Sequence, residues 1–437
     1  GATIWGVGGH DTWQSDEIPG DASIDIDWYV ERARQAEAAR FDFVFVPDSQ
    51  FVSPDSPPHY LNRLEPLTLL SALAVATTNI GLIGTLSSSY DAPFSLARRV
   101  GSLDLISKGR AGWNVVTSVD AGTAANFGLE EHYDYATRYA RAQEHVEVVR
   151  GLWDSYEDDA FPRDKASGVF FDRSKQHRLD HRGTHFSVAG PLNLSRSRQG
   201  QPVVFQAGVS EEGRTLGATV ADGIFANPST LDEAKAFYRD IKSRAAALGR
   251  DPRHVVICPA LGFQLGATDE EAERLYADRV AARDFDKMLR TFSRPYAWHD
   301  FTQYDLDAPF PDVVAYAEKG GRTIAEHLAQ VARERALSLR ETVLYNESIM
   351  QLVFVGSPST VADRMEQWLV EEAADGFITA ITVPSDFARF VDEVLPILRE
   401  RGVVRSEYDA ETLRGNLGLP VPVNVHTAAR VAGPVAA

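Results

Sequence analysis

The chain has 437 residues, 44% hydrophobic and 24% charged, which is the make-up of a folded protein with a large core rather than a disordered or fibrous one. Its 62 acidic and 44 basic side chains give a formal net charge of −18, a field that repels a phosphate backbone or an anionic bilayer, so no nucleic-acid and no membrane partner is expected. The most apolar stretch, residues 69–84, is broken by Thr77, Thr78 and Asn79, no basic-then-apolar leader is seen, and the single cysteine, Cys258, sits in an apolar run, so a reducing cytoplasm is the expected location.

Along the chain, short β-branched or aromatic runs alternate with helical stretches of ten or more residues, the pattern of βα units in a parallel sheet. Residues 3–7 read as a first strand, followed by a helix over 28–40 that Asp27 is placed to cap. A second strand at 43–47 precedes a helix opened by Glu65 and ending at Thr77, and a third at 80–85 precedes one opened by Ala92 and Pro93 and ending near Ile106. The fourth strand, 112–117, leads to a helix over 135–153. Strands at 202–207, 223–226, 254–263 and 377–383 complete a set of eight, with helices at 211–220, 231–248, 358–372 and 386–401.

Two stretches are too long to be plain connectors. Residues 157–200 are rich in Arg, Asp and His, and residues 281–354 carry a helical segment around 322–340 that reads as a lid or a dimerisation arm. The pattern predicts an α/β fold, a single (β/α)8 TIM barrel over residues 1–437 with insertions after strand 4 and after strand 7. The irregular tail, about 408–437, is expected to wrap a neighbouring subunit.

In such a barrel the chemistry lies just past the strands, at residues 8–11, Asp48, Thr85, Thr117, 208–210, Asn227, Gly262 and Pro384. The run from Gln206 to Arg214 joins a strand to a helix start, and Ser210 with the free N–H groups of the first turn suits a phosphate; a plain Ser N-cap is the bland alternative. Tyr135 and Tyr139 stand four apart, so both phenols face one way, toward a phosphate or into the core. Asp48 ends an apolar run where a carboxylate needs donors, either ligand hydroxyls or the turn at Ser49. Thr85 ends the third strand, and Asn114 lies inside the fourth, where its amide meets either a ligand ring or a neighbouring strand. His10, His132 and His299 are the histidines expected near the mouth. No H-E-x-x-H, G-x-S-x-G or strand-following G-x-G-x-x-G occurs, which disfavours zinc, serine-hydrolase and dinucleotide readings.

Together the segments Leu64-Glu-Pro-Leu-Thr68, Gly109-Arg-Ala-Gly-Trp-Asn-Val-Val-Thr-Ser118, Asn126-Phe-Gly128, Arg138-Tyr139, Gly151-Leu-Trp-Asp154, His181-Arg-Gly183 and Gln206-Ala-Gly208 resemble the nitrilotriacetate and dibenzothiophene-sulfone monooxygenase branch of the luciferase-like flavoproteins. That resemblance implies FMN binding by Asp48, Thr85, Tyr135, Tyr139 and Ser210, with Asn114 near the ring and His299 assisting chemistry; His10, from its place after the first strand, is the further catalytic candidate, beside Asn114. Tyr135 departs from the His common at its position.

The resemblance further implies a two-component enzyme. A separate NAD(P)H:flavin reductase supplies FMNH2, which reacts with O2 to a flavin hydroperoxide that oxygenates a small-molecule substrate, in a homodimer or homotetramer. The loop 53–60 and the aromatics Phe292, Tyr296 and Trp298 are expected to shape the substrate pocket, and the second insertion to exclude water. The alternatives are a deazaflavin (F420)-dependent oxidoreductase of the same superfamily and a non-catalytic flavin-binding barrel.

Overall fold

The computed structural model describes residues 1–9, 12–317, 321–349 and 352–432. Eight parallel strands close on themselves: β1 (Ala2–Thr3), β2 (Phe43–Val46), β3 (Gly81–Ser87), β4 (Ala111–Val116), β5 (Val203–Gln206), β6 (Gly223–Ala226), β7 (Val256–Leu265) and β8 (Ile378–Ala380). Each pairs with the next, and the ring is completed by Ala2 opposite Thr379 and Ile378 opposite Ala260. Strands such as Phe43–Val46 are buried at every position, because helices cover the outer face of the barrel while side chains fill its bore. The expected (β/α)8 barrel is therefore the observed one, with a strand at each of the eight predicted places, although the first is Ala2–Thr3 rather than residues 3–7.

The differences are local. The first helix is Ile26–Ala38, and its cap is Asp25, whose carboxylate accepts the Asp27 N–H at 2.9 Å, rather than Asp27 itself. The helix after β8 starts at Pro384 and is interrupted by a π turn at Phe390–Val394. A strand not anticipated, Leu352–Gly356, pairs with the upper half of β7 from Leu261 to Leu265, so the second insertion returns to the barrel as sheet.

That insertion owns a core. Leu289, Phe292, Leu328, Leu339 and Val343, from helices Phe285–Phe292, Arg322–Arg335 and Leu339–Ile349, pack with Tyr296 and Phe301 from the short 3-10 turns between them. The first insertion is mostly irregular. It is tied down where Glu144 accepts the His185 and Phe186 N–H groups and the His181 ring.

The described part of the tail, residues 408–432, packs on its own barrel, whereas the sequence suggested a neighbouring subunit. Leu413 and Leu419 join Phe43, Phe45, Ile83, Val203, Phe205, Cys258 and Ile378 in the cluster that fills the bore. Leu413 fits because Gly81 and Gly112 lack side chains there; a Cβ on Gly81 would stand 2.4 Å from the leucine. Arg414 binds buried Asp222 at 2.9 Å, and Arg430 reaches Glu157 at 2.6 Å in the first insertion.

Candidate active site

The carboxyl ends of β2 to β5 open at one pole of the barrel, and Asp48, Thr85, Asn114 and Ser210 all emerge there. The register fixes this: Val46 pairs with Gly84, Thr85 with Asn114, and Asn114 with Phe205, one residue before the end of β5. Asn114 donates its Nδ2 hydrogen to Thr85 Oγ1 at 3.0 Å, so the amide bridges two strands as one reading allowed. Its Oδ1, however, is buried without a partner. A carbonyl oxygen left bare in the interior costs stability unless something brings it a donor.

At the far side of the mouth, helices Tyr135–Trp153 and Glu211–Val220 meet. Ser210 caps the second, its Oγ accepting the Gly213 N–H at 3.1 Å. The Tyr135 hydroxyl donates to the same Oγ, which lies 3.5 Å from the Tyr139 hydroxyl, and the two rings are 4.9 Å apart. The backbone here is tight: a Cβ on Gly208 would meet Gln206 Nε2 at 2.3 Å. Burial pushes the Tyr135 phenol well above its ordinary range, so it stays a neutral donor. Arg138, buried beneath, donates to Ser118 O at 2.6 Å with its guanidinium 5.5 Å from the Tyr135 ring.

Asp48 is not waiting for a ligand alone. Arg63 Nη2 lies 2.7 Å from its Oδ1 and donates to Ser49 O at 2.6 Å. Burial raises the Asp48 carboxyl to about 6, and Arg63 opposes that shift without cancelling it. Ser49 donates to Asp120 at 2.8 Å, and Arg294, from the second insertion, grips Asp120 at 3.0 Å. The Tyr60 ring lies 4.0 Å from the Arg63 guanidinium and 5.9 Å from that of Arg294. The insertion is thus latched over the lip that carries Asp48.

Arg63, Asp120 and Arg294 were not singled out from the sequence. For Arg63 a signal existed, a cation shortly before the Glu65-capped helix and a strand-ending carboxylate in want of a partner; Arg294 lies in an insertion whose path no periodicity reveals. Phe292 and Tyr296, expected to shape the pocket, belong instead to the core of the insertion. Trp298 lies 6.3 Å from Phe51, two residues before the 53–60 loop. His299 stacks on Tyr316 at 4.0 Å and bonds the Tyr304 hydroxyl at 2.9 Å, and its hydrogen bonds stay within the insertion. His132 bonds Tyr90 and Ser118 O. His10 lies outside the described residues.

Residues 7–403 match the family described as luciferase-like monooxygenase. The chain belongs to that family. It is 43% identical over 427 residues to N-acetyl-S-(2-succino)cysteine monooxygenase of Bacillus subtilis (strain 168), covering 97% of each chain. It is 39% identical to nitrilotriacetate monooxygenase component A of Aminobacter aminovorans, covering 94% of each. Among solved structures, a riboflavin lyase with modified FMN superposes with a TM-score of 0.84 at 33% identity, covering 97% of this chain and 96% of that one. A coenzyme F420 dependent reductase from Methanopyrus kandleri, at 15% identity and a TM-score of 0.54, shares the barrel fold alone. This luciferase-like protein is accordingly a flavin-dependent monooxygenase, and the deazaflavin alternative has only the shared fold behind it.

Proposed function

We propose that this monooxygenase binds FMN, receives it reduced as FMNH2 from a separate NAD(P)H:flavin reductase, and with O2 inserts one oxygen atom into a small organic molecule. The observation that carries the reading is the convergence at Ser210. A phosphate dianion wants several donors at one point, and here a serine hydroxyl, two phenols and the first turn of a helix point to the same place. The bare Oδ1 of Asn114 gives a ring N–H its acceptor, with Thr85 holding the amide in place, and Asp48 offers carboxylate oxygens to ribityl hydroxyls. These groups fit FMN in both its charged and its uncharged parts.

The bound flavin supplies the oxygen activation, which no side chain provides. What the protein does is hold the phosphate at one side of the mouth, fix the ring against Asn114, and keep water out. Exclusion falls to the second insertion, latched by Arg294 to Asp120. His299 is assigned to proton movement near the substrate, the role that the sequence reading also gave His10. The buried, unpaired Cys258 suits a reducing cytoplasm, and the exposed Val169 and Phe170 of the first insertion suit association into a homodimer or homotetramer.

Titration of apo-protein with FMN, followed by flavin fluorescence, tests the assignment. Ser210→Ala removes a hydrogen bond to a charged group, worth about 1.5–3 kcal/mol, so the dissociation constant should rise about tenfold or more. Unchanged affinity in that variant and in Tyr135→Phe together would overturn the phosphate site. Coupling to a generic flavin reductase, NADH and a panel of sulfones, amines, thioethers and organic acids then tests oxygen insertion by mass spectrometry.

A further inference from the structure

Arg63 is nine-tenths buried, and while its Nη2 serves Asp48 and Ser49, its Nη1 is buried without any partner. The Trp298 indole N–H, on the latched insertion, is likewise buried and unpartnered. Arg294 spends Nε and Nη2 on Asp120, and its side chain stays 39% exposed. Arg290, one helical turn earlier in the sequence, is held only loosely, 3.9 Å from Asp55. Three guanidinium groups thus gather where the loop after β2 faces the insertion, two of them on one tyrosine ring.

The unspent buried donors of this region are Arg63 Nη1 and Trp298 Nε1, and in a chain of net charge −18 two bare donors beside a buried guanidinium mark where an anionic group can be received. A guanidinium has five N–H donors in a rigid fork that matches a carboxylate, and a buried donor left bare costs stability until an acceptor arrives. Asp48, Asp55 and Asp120 offset the positive charge but satisfy only part of the donor set.

We propose that this lip is a carboxylate-binding subsite in which Arg63 and Arg294 receive an anionic group of the substrate, and that the substrate class is therefore small organic acids. The inference rests on the reading of the mouth as the oxygenation site. It adds what that reading leaves open, the feature by which a substrate is chosen. Tyr60, between the two cations, is a platform for the adjoining carbon chain.

The test is isothermal titration of the FMN-loaded protein with nitrilotriacetate, tricarballylate and N-acetyl-S-(2-succino)cysteine, each beside its methyl ester, for wild type, Arg294→Gln, Arg63→Met and Arg63→Lys. At least one acid should bind about tenfold or more tightly than its ester. Arg294→Gln and Arg63→Met should each lower affinity for the acid about tenfold more than affinity for its ester, and Arg63→Lys should restore part of the difference. Esters that bind as well as the acids, or an acid preference that survives both substitutions, overturns the subsite. FMN affinity is measured for every variant. Wild-type protein that binds FMN but none of the acids sinks this proposal alone, whereas protein that binds no FMN sinks the reading beneath it.

Discussion

Asp48 carries two opposed influences, burial and Arg63, and burial wins: the carboxyl titrates near 6 rather than near 4. Its proton is bound more tightly in the folded than in the unfolded chain. The stabilisation this gives is therefore full below about pH 4 and is lost as pH rises to about 6. Ligand binding runs the other way, because only the ionised carboxylate keeps its Arg63 partner and both acceptor oxygens. FMN affinity should fall as pH drops through about 6, and Asp48→Asn should flatten that step; a titration of FMN fluorescence against pH reads both. His59, which burial lowers to about 3, stays neutral throughout and contributes no step of its own. At this scale the sequence was informative wherever a polar side chain interrupted an apolar run. Asp48, Thr85 and Asn114 stood out for that reason, and Ser210 stood out as a cap. Arg63 did not, because an arginine in a loop looks solvated until the chain is folded and its neighbours are known.

Among the elements, the strands and the helices between them were legible because each obeys a local rule, continuous burial for a strand and a cap with a periodic face for a helix. Helices Tyr135–Trp153 and Glu211–Val220 fall where the sequence placed them. The insertions were legible only as interruptions, since their structure depends on partners distant in sequence. The latch is the clearest case, with Ser49, Asp120 and Arg294 drawn from three separate parts of the chain. Asp120→Asn removes the charge that holds Arg294, and the insertion should then cover the mouth less well. The expected outcome is a larger share of reduced flavin released as hydrogen peroxide, read by a peroxide assay at saturating substrate, with FMN affinity changed by less than about threefold. Coupling equal to wild type would show that water is excluded by something else.

The whole molecule is a barrel closed at both ends by different means. Above, Arg294 ties the second insertion to Asp120 at the lip of the mouth. Below, Leu413 and Leu419 plug the bore and Arg414 pins them to Asp222, whose carboxyl burial would raise but which Arg414 and Arg150 hold below its usual range. Leu413→Ala should cost about 2–5 kcal/mol in urea unfolding, since the glycines around it leave a cavity that cannot readily collapse. Arg414→Met should cost about 3–5 kcal/mol by stranding a buried carboxylate. None of this was readable beforehand. A tail of turns and short apolar runs gives no sign that Leu413 and Leu419 fill a barrel, and its irregular composition pointed only to a neighbour's surface.

The plug also sets an order on assembly. It is synthesised after all eight strands, so a nascent chain emerging from the ribosome must carry an uncorked barrel with a greasy throat until the segment at Leu413 arrives. Polypeptides cut short before that point would present the open throat to chaperones and proteases. Release of a competent oxygenase is thereby tied to translation of the segment that carries Leu413.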